Sequence, residues 1–198
     1  VFVRSGGTLN LDGAAVAGQS ITYEPGSQGS IVDSTFSTAK LAVYSSQVLN
    51  ISGNTFQSSN PVAASPSSVP LFYGTNAYSV SATIDVAGGM TTDASWILHP
   101  NLTRYNLIDD VVIGAAYTLD IASGTTINTS GQFFEIFIDG AVNATGTNFT
   151  GTQTEVFVRS GGLLNLDAVT VTGQSITYEP GSQGSIVDST FSAAKLAV

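Results

Sequence analysis

The residues able to do acid–base, nucleophilic or metal chemistry are few in this chain, and their spacing suits none of it. There is no cysteine, so no disulfide framework and no thiolate nucleophile. His99 is the single histidine and stands beside Pro100, which leaves neither a histidine metal cluster nor a Ser-His-Asp triad to build. The basic residues are Arg4, Lys40, Arg104, Arg159 and Lys195. Arg4 and Arg159 precede "SGG", a turn sequence, and at a twenty-residue offset Arg4 meets Glu24 and Tyr44. An exposed ion pair of that kind contributes under about 1 kcal/mol. Asp109–Asp110 is the sole adjacent carboxylate pair. Neighbours in an extended segment point to opposite faces, which is poor geometry for sharing a proton or a metal, so the pair reads as a solvated strand start. Glu135 and Asp139 flank an apolar stretch without partners. No calcium loop of EF-hand or nonapeptide type appears, and "RSGG" and "VAGG" lack the setting of a phosphate loop. No catalytic, cofactor-binding or metal residue is therefore assigned, no cofactor is expected, and the chain is not read as an enzyme.

One covalent chemistry does have sequence signals. The N-x-S/T pattern occurs at Asn50, Asn101, Asn128, Asn143 and Asn148. Asn50 lies between Leu49 and Ile51, Asn143 between Val142 and Ala144, and Asn148 just before Phe149. If these stretches are strands with the apolar residues inward, the asparagines point outward, as a glycan requires. The alternative is an outward polar ladder without sugar. Asn10, Ser30, Asp120 and Asn165 occupy the same slot.

The elements that would position these residues are announced by a repeat. Val1–Val43 aligns without gaps on Val156–Val198, and 37 of the 43 pairs are identical. The unit is thus 155 residues long, and the chain holds one unit plus the start of another. The expectation is a window on a longer tandem array, in which Tyr follows Val198 as Tyr44 follows Val43.

Within the unit runs a shorter beat. Val1–Val3, Ile21–Tyr23 and Leu41–Val43 align at an offset of twenty; so do Leu11, Ile31 and Ile51, and Val16, Phe36 and Phe56. Leu9 and Leu49 share a slot with Gly29 between them. Alternation of period two marks strands with one buried face, and the intervening Gly, Ser, Asn and Pro form turns. Three short strands per line, line upon line, predict an all-β fold, a parallel β-helix of about 20–23 residues per coil. Further coils place Val111, Ile113, Leu119, Ile121 and Ile127 inward, then Ile136, Ile138, Val142, Ala144 and Phe149. About five such coils per unit make a rod on the order of 24 Å long.

The lines "LNISGNTF", "LNLDAVTV" and "GSIVDSTF" resemble coils of the right-handed parallel β-helix, or pectin-lyase-like, superfamily. "TRYNLIDDVVIGAAYTLDIASGTTI" resembles the opening coils of such modules in large secreted and cell-surface repeat proteins of bacteria and archaea. The resemblance implies right-handedness. Enzymes of this superfamily work with an Arg or Lys base and carboxylate-held Ca²⁺, or with paired Asp, and neither set is recognisable here.

The domain reading follows. Residues 1–57 are the last coils of one unit, and 100–198 the first and middle coils of the next, with 156–198 repeating 1–43. Residues 58–99 lie between. Ser58–Pro70 carries Pro61, Pro66 and Pro70 and reads as an extended Pro/Ser connector. The part after it, Phe72–His99, holds aromatics at Phe72, Tyr73, Tyr78 and Trp96 and is expected to cap one rod or dock it to the next.

The net charge of −9 and pI near 4.1 disfavour a nucleic-acid partner. No apolar stretch reaches membrane-helix length. The expectation is a structural or adhesive protein outside the cell or on its surface: a fibre, stalk, sheath or filament whose partners are neighbouring copies of the same unit and covalent glycans. The alternative is a carbohydrate-binding or polysaccharide-cleaving β-helix, which needs clustered acids or outward aromatics stacked along one side.

Overall fold

Glu24–Pro25–Gly26–Ser27 shows how this sequence makes a corner. The Ser27 amide donates to the Glu24 carbonyl at 3.0 Å, and Gly26 has φ +81°. Proline at the second position and glycine at the third are what a type II turn demands. The Ser27 hydroxyl closes on the same carbonyl at 2.6 Å, and Ser182 repeats this on Glu179 in the second copy. The next corner of the coil has its own rule. Its residue is Gly13, Asp33, Gly53, Gly146, Ala168 or Asp188, and in every case φ lies between 47° and 70°. Glycine and aspartate tolerate this left-handed conformation; alanine occupies it at a cost of roughly 1–2 kcal/mol.

Between corners the chain runs as short strands. A computed structural model describes residues 1–45, 47–97, 99–129, 133–152 and 154–198 as a parallel β-solenoid of about nine turns, with about 21 residues to a turn. The first three coils contain β1 (Phe2–Val3), β2 (Thr8–Asp12), β3 (Ala15–Val16), β4 (Ile21–Tyr23), β5 (Gln28–Val32), β6 (Thr35–Phe36), β7 (Leu41–Val43), β8 (Val48–Ser52) and β9 (Thr55–Phe56). There follow β10 (Val62–Ala64), a 3₁₀ helix (Pro66–Phe72), β11 (Ala77–Tyr78), β12 (Ala82–Gly89), β13 (Ala94–Trp96) and β14 (Leu102–Ile113). The remaining coils hold β15 (Thr118–Ile121), β16 (Thr126–Thr129), β17 (Phe134–Ile138), β18 (Ala141–Thr145), β19 (Asn148–Gly151), β20 (Thr154–Val158), β21 (Leu163–Asp167), β22 (Thr170–Thr172), β23 (Ser175–Tyr178), β24 (Gln183–Val187), β25 (Thr190–Ser192) and β26 (Lys195–Ala197).

The expected registers are present. Ile21 pairs with Leu41, Leu11 with Ile31 and Ile31 with Ile51, and Val16 with Phe36 and Phe36 with Phe56. In the later coils Val111 meets Ile136, Leu119 meets Val142, and Ile127 meets Phe149. All of these except the chain-end Leu11 and Val16 are buried, in one apolar column per slot. One slot differs. Leu9 faces Gly29, but Gly29 faces Val48, and the ladder resumes at Ser30–Asn50 after a register shift. The side chain of Leu49 lies outside the described residues. Gly29 itself is required: a Cβ there would stand 1.9 Å from the Leu9 carbonyl oxygen, to which the buried Tyr23 hydroxyl donates at 2.8 Å. Gly184 and Tyr178 repeat the arrangement.

The stretch 58–99, read as a Pro/Ser connector at Ser58–Pro70 followed by an aromatic cap at Phe72–His99, builds wall. β10 pairs with β7 on one side and β12 on the other, and Val62, Ala63 and Ala64 are all buried. Proline is accommodated because Pro61 sits just ahead of the strand, and Pro66 opens the 3₁₀ helix. These added coils raise the turn count beyond the five per unit visible by alternation. The aromatics of the stretch pack inward: Phe72, Tyr78 and Trp96 are buried, and the Trp96 indole donates to the Pro66 carbonyl at 3.1 Å.

This joint also moves the repeat around the axis. One ladder runs through the chain as β1-β4-β7-β10-β12-β14-β16-β19-β22-β25. It begins with the first strand of one copy and ends with β22 and β25, copies of the third strands β3 and β6. The exchange happens at β14, twelve residues long, whose first part pairs with β16 and whose last part pairs with β17. From β1 the ladder takes seven steps to β19, and β20, the copy of β1, stands one wall further on. A unit is therefore about seven and one-third turns, and each copy is rotated by one wall of three.

Candidate functional site

The side chains with chemistry lie mainly on polar ladders, one inside the tube and two on its outer face. The inner one climbs the second corner. The Ser34 hydroxyl accepts the Ala14 amide at 3.1 Å, Asn54 Oδ1 accepts the Ser34 amide at 2.9 Å, and Asn76 Oδ1 accepts the Asn54 amide at 3.0 Å. Asn54 Nδ2 donates to the Ile31 carbonyl and Asn76 Nδ2 to the Ile51 carbonyl, each at 2.8 Å. All three side chains are buried and satisfied. Sequence reasoning missed this ladder, although Ser34-Thr35-Phe36, Asn54-Thr55-Phe56 and Asn76-Ala77-Tyr78 repeat in register.

One outer ladder carries sequon residues. Asn143 Nδ2 donates to Asp120 Oδ1 at 2.8 Å, Asn165 Nδ2 to Asn143 Oδ1 at 3.0 Å, and the Ser185 hydroxyl to Asn165 Oδ1 at 3.1 Å. In the first coils Asn10, Ser30 and Asn50 fill the equivalent slot, as the spacing predicts. Asn50 and Asn101 are exposed, Asn101 in a turn at φ +70°. Asn128, Asn143 and Asn148 are half-buried, and Ser130 of the Asn128 sequon lies outside the described residues.

The other outer ladder centres on Asp85, which is 4% exposed although it faces outward on β12. Lys40 Nζ contacts its Oδ2 at 2.5 Å, and Asn60 Nδ2 donates to the same oxygen at 2.9 Å. Asn106 Nδ2 donates to Oδ1 at 3.4 Å, and Asn128 Nδ2 to Asn106 Oδ1 at 3.2 Å. Below Asp85 in the same outward register stand Ala63 and Ala42. Both are buried, so the lysine reaches Asp85 across small side chains. Tyr44 senses the site: its hydroxyl is pushed up first by burial and then by the charges of Asp85 and Asp109.

The remaining candidates are structural in their contacts. Arg159 pairs with Asp139 at 3.6 Å, one coil back, and its guanidinium lies 3.8 Å over the Phe137 ring, so the carboxylate expected from the Arg4–Glu24 stacking is replaced by Asp139. Arg4, Arg104 and Lys195 are exposed. Asp109 and Asp110 do not alternate between faces. Both are exposed at the corner inside β14, because its register against β12 slips there, and Asp110 accepts the Glu135 amide at 2.9 Å. Glu135 registers with Glu155 on the next coil. His99 packs edge-on against Tyr78 at 5.2 Å, where it ends the inner stack Phe36–Phe56–Tyr78. Its Nε2 lies 3.0 Å from the Tyr73 carbonyl.

Around it the tyrosines form a chain. Tyr73 donates to Tyr105 at 2.9 Å, Tyr105 donates to the Ile97 carbonyl, and Tyr73 accepts the Ile97 amide at 3.1 Å. Burial pushes Tyr23 up to about 12. It pushes Tyr73 up to about 12 against the lowering effect of its hydrogen bonds. Burial raises Tyr78 and Tyr105 further, with Tyr73 adding to both.

Among the described residues no cluster of three or more His, Cys, Asp or Glu could hold a metal ion, and no helix is long and apolar enough to cross a membrane. Compared with protein-family models, curated proteins and solved structures, the chain matches none. The class is thus defined by the fold: a parallel β-solenoid repeat protein.

Proposed function

We propose that this chain is a structural rod segment of an extracellular or cell-surface fibre, stalk, sheath or filament, with adhesive display as its accompanying role and no catalytic one. The observation that carries the reading is the ladder running from β1 to β25 without a break, across the repeat boundary. Polar side chains are spent on that ladder and its corners. The absence of cysteine, the low share of charged residues and the five sequons agree with a life outside the cell. Membership of the pectin-lyase-like superfamily, an origin among bacterial or archaeal surface proteins, neighbouring copies as partners and glycans at Asn50 and Asn101 belong to the same proposal.

Electron microscopy of the native material tests it. At about 4.8 Å per coil, a unit of about seven and one-third turns spans about 35 Å. Filaments with that axial spacing support the reading; dispersed particles count against it.

A second reading, carbohydrate binding or cleavage, draws on one observation. Phe137 and Phe157 stack outward with centroids 5.8 Å apart, beside Glu135 and Glu155. Arg159 already lies over Phe137, which favours a structural use of that face. Clear binding or turnover in a glycan-array and hydrolysis assay would reverse the order of the two readings.

A further inference from the structure

We propose that Lys40 and Asn60 are joined by an isopeptide bond formed under Asp85. Three groups meet at one oxygen. The lysine amine and the asparagine carboxamide nitrogen both contact Oδ2 of Asp85, which is itself 4% exposed. An amine, a carboxamide and a shared carboxylate are the reactants and the proton carrier of an amide exchange. The sheet brings them together. Leu41 donates its amide to the Pro61 carbonyl at 2.8 Å, so Lys40 and Asn60 lead into strands on adjacent coils. Asp85 stands one coil beyond β10, in register with Ala63. The small, buried Ala42 and Ala63 let the lysine stem lie along the wall.

The step balances without an oxidant, metal or cofactor. Asp85 takes a proton from the Lys40 ammonium, and the neutral Nζ attacks Asn60 Cγ. The carbonyl reforms as the Cγ–Nδ2 bond breaks, and its electron pair leaves with nitrogen. Asp85 hands on the protons: two leave the amine in all, both finish on the departing nitrogen, and ammonium is released. One charge-bearing lysine and one carboxamide become one secondary amide, and Asp85 is regenerated. Placing the carboxylate against both nitrogens is the positioning such a reaction needs. Asn106 contacts the other oxygen, Oδ1, and is held to Asn128, so Asn60 is the acyl partner. The bond would tie two coils covalently in a protein without cysteine, whatever the rod is used for.

Intact mass of the denatured protein tests this without any variant. The expected mass is lower than that of the sequence by one ammonia, and chymotrypsin, which cuts between the two residues at Tyr44 and Phe56, yields a branched peptide joining Lys40 to Asn60. Lys40→Arg and Asp85→Ala are each expected to restore the full mass. A wild-type mass equal to the sequence overturns the proposal. So does a deficit of one water, a branched peptide through Asp85 or Asn106, or an ammonia deficit that persists in Lys40→Arg, which would mark a succinimide elsewhere.

Discussion

Gly29 and Ala168 mark opposite errors a side chain can make in this tube. At Gly29 any Cβ strikes the Leu9 carbonyl oxygen at 1.9 Å, and that oxygen is held by the Tyr23 hydroxyl. Gly29→Ala is expected to destabilise by more than about 2 kcal/mol, read as a lower denaturant midpoint, because backbone rather than a flexible side-chain tip must move. Ala168 is the reverse. It holds φ +52° where the first copy has Gly13 at +60°. Ala168→Gly relieves that strain and loses part of the gain to the freer unfolded chain, so the net expected stabilisation is about 0.5–1 kcal/mol. A midpoint unchanged or lowered by Ala168→Gly would show that the corner does not strain alanine. Gly29 was visible in the sequence as the gap in the slot of Leu9 and Leu49. Why it was needed was not, because the Leu9 carbonyl and the Tyr23 hydroxyl come from other strands.

At the scale of elements, corners and ladders share the load. The Asn54 side chain serves three partners, and Asn54→Ala leaves the Ser34 amide and the Ile31 carbonyl buried without it. Each orphaned group costs about 1–3 kcal/mol, so loss of Asn54 should lower stability by several kcal/mol, while Asn10→Ala on an exposed ladder should change it little. Equal effects of the two in chemical denaturation would refute the distinction. The tyrosines give the elements a pH limit. Tyr23 and Tyr73 are raised to about 12, Tyr78 and Tyr105 further, while unfolded tyrosine ionises near 10. The folded state thus binds more protons than the unfolded state above about pH 10. Stability from these groups is complete below that pH and is lost as pH rises through 12. Phenolate absorbance is expected to rise together with loss of the β circular-dichroism signal; full ionisation with the fold intact would contradict the burial.

The whole molecule is a triangular tube that turns its repeat by one wall per unit. If units follow one another along a fibre, a surface feature such as the Asn143 ladder returns to the same side only after three units. That predicts a longer axial period of about 105 Å in addition to the 35 Å spacing. Averaged filament images with 35 Å alone would mean the rotation does not persist.

The sequence by itself determined the local grammar: strand period, inward residues, the turn at Glu24–Ser27, the outward slot of Asn50 and Asn143, and the 155-residue unit. These depend on side-chain alternation and on glycine and proline conformations, which neighbours in the chain decide. Only the tertiary structure decided that 58–99 is wall, that Asp109 and Asp110 share a corner, that Asp85 gathers Lys40 and Asn60, and that copies stand on different walls. Each is a question of register between coils some twenty residues apart. A single long strand such as β14 pairs with two different walls at its two ends, whereas the slip beside Gly29 stays local, with Ile31 and Ile51 back in register.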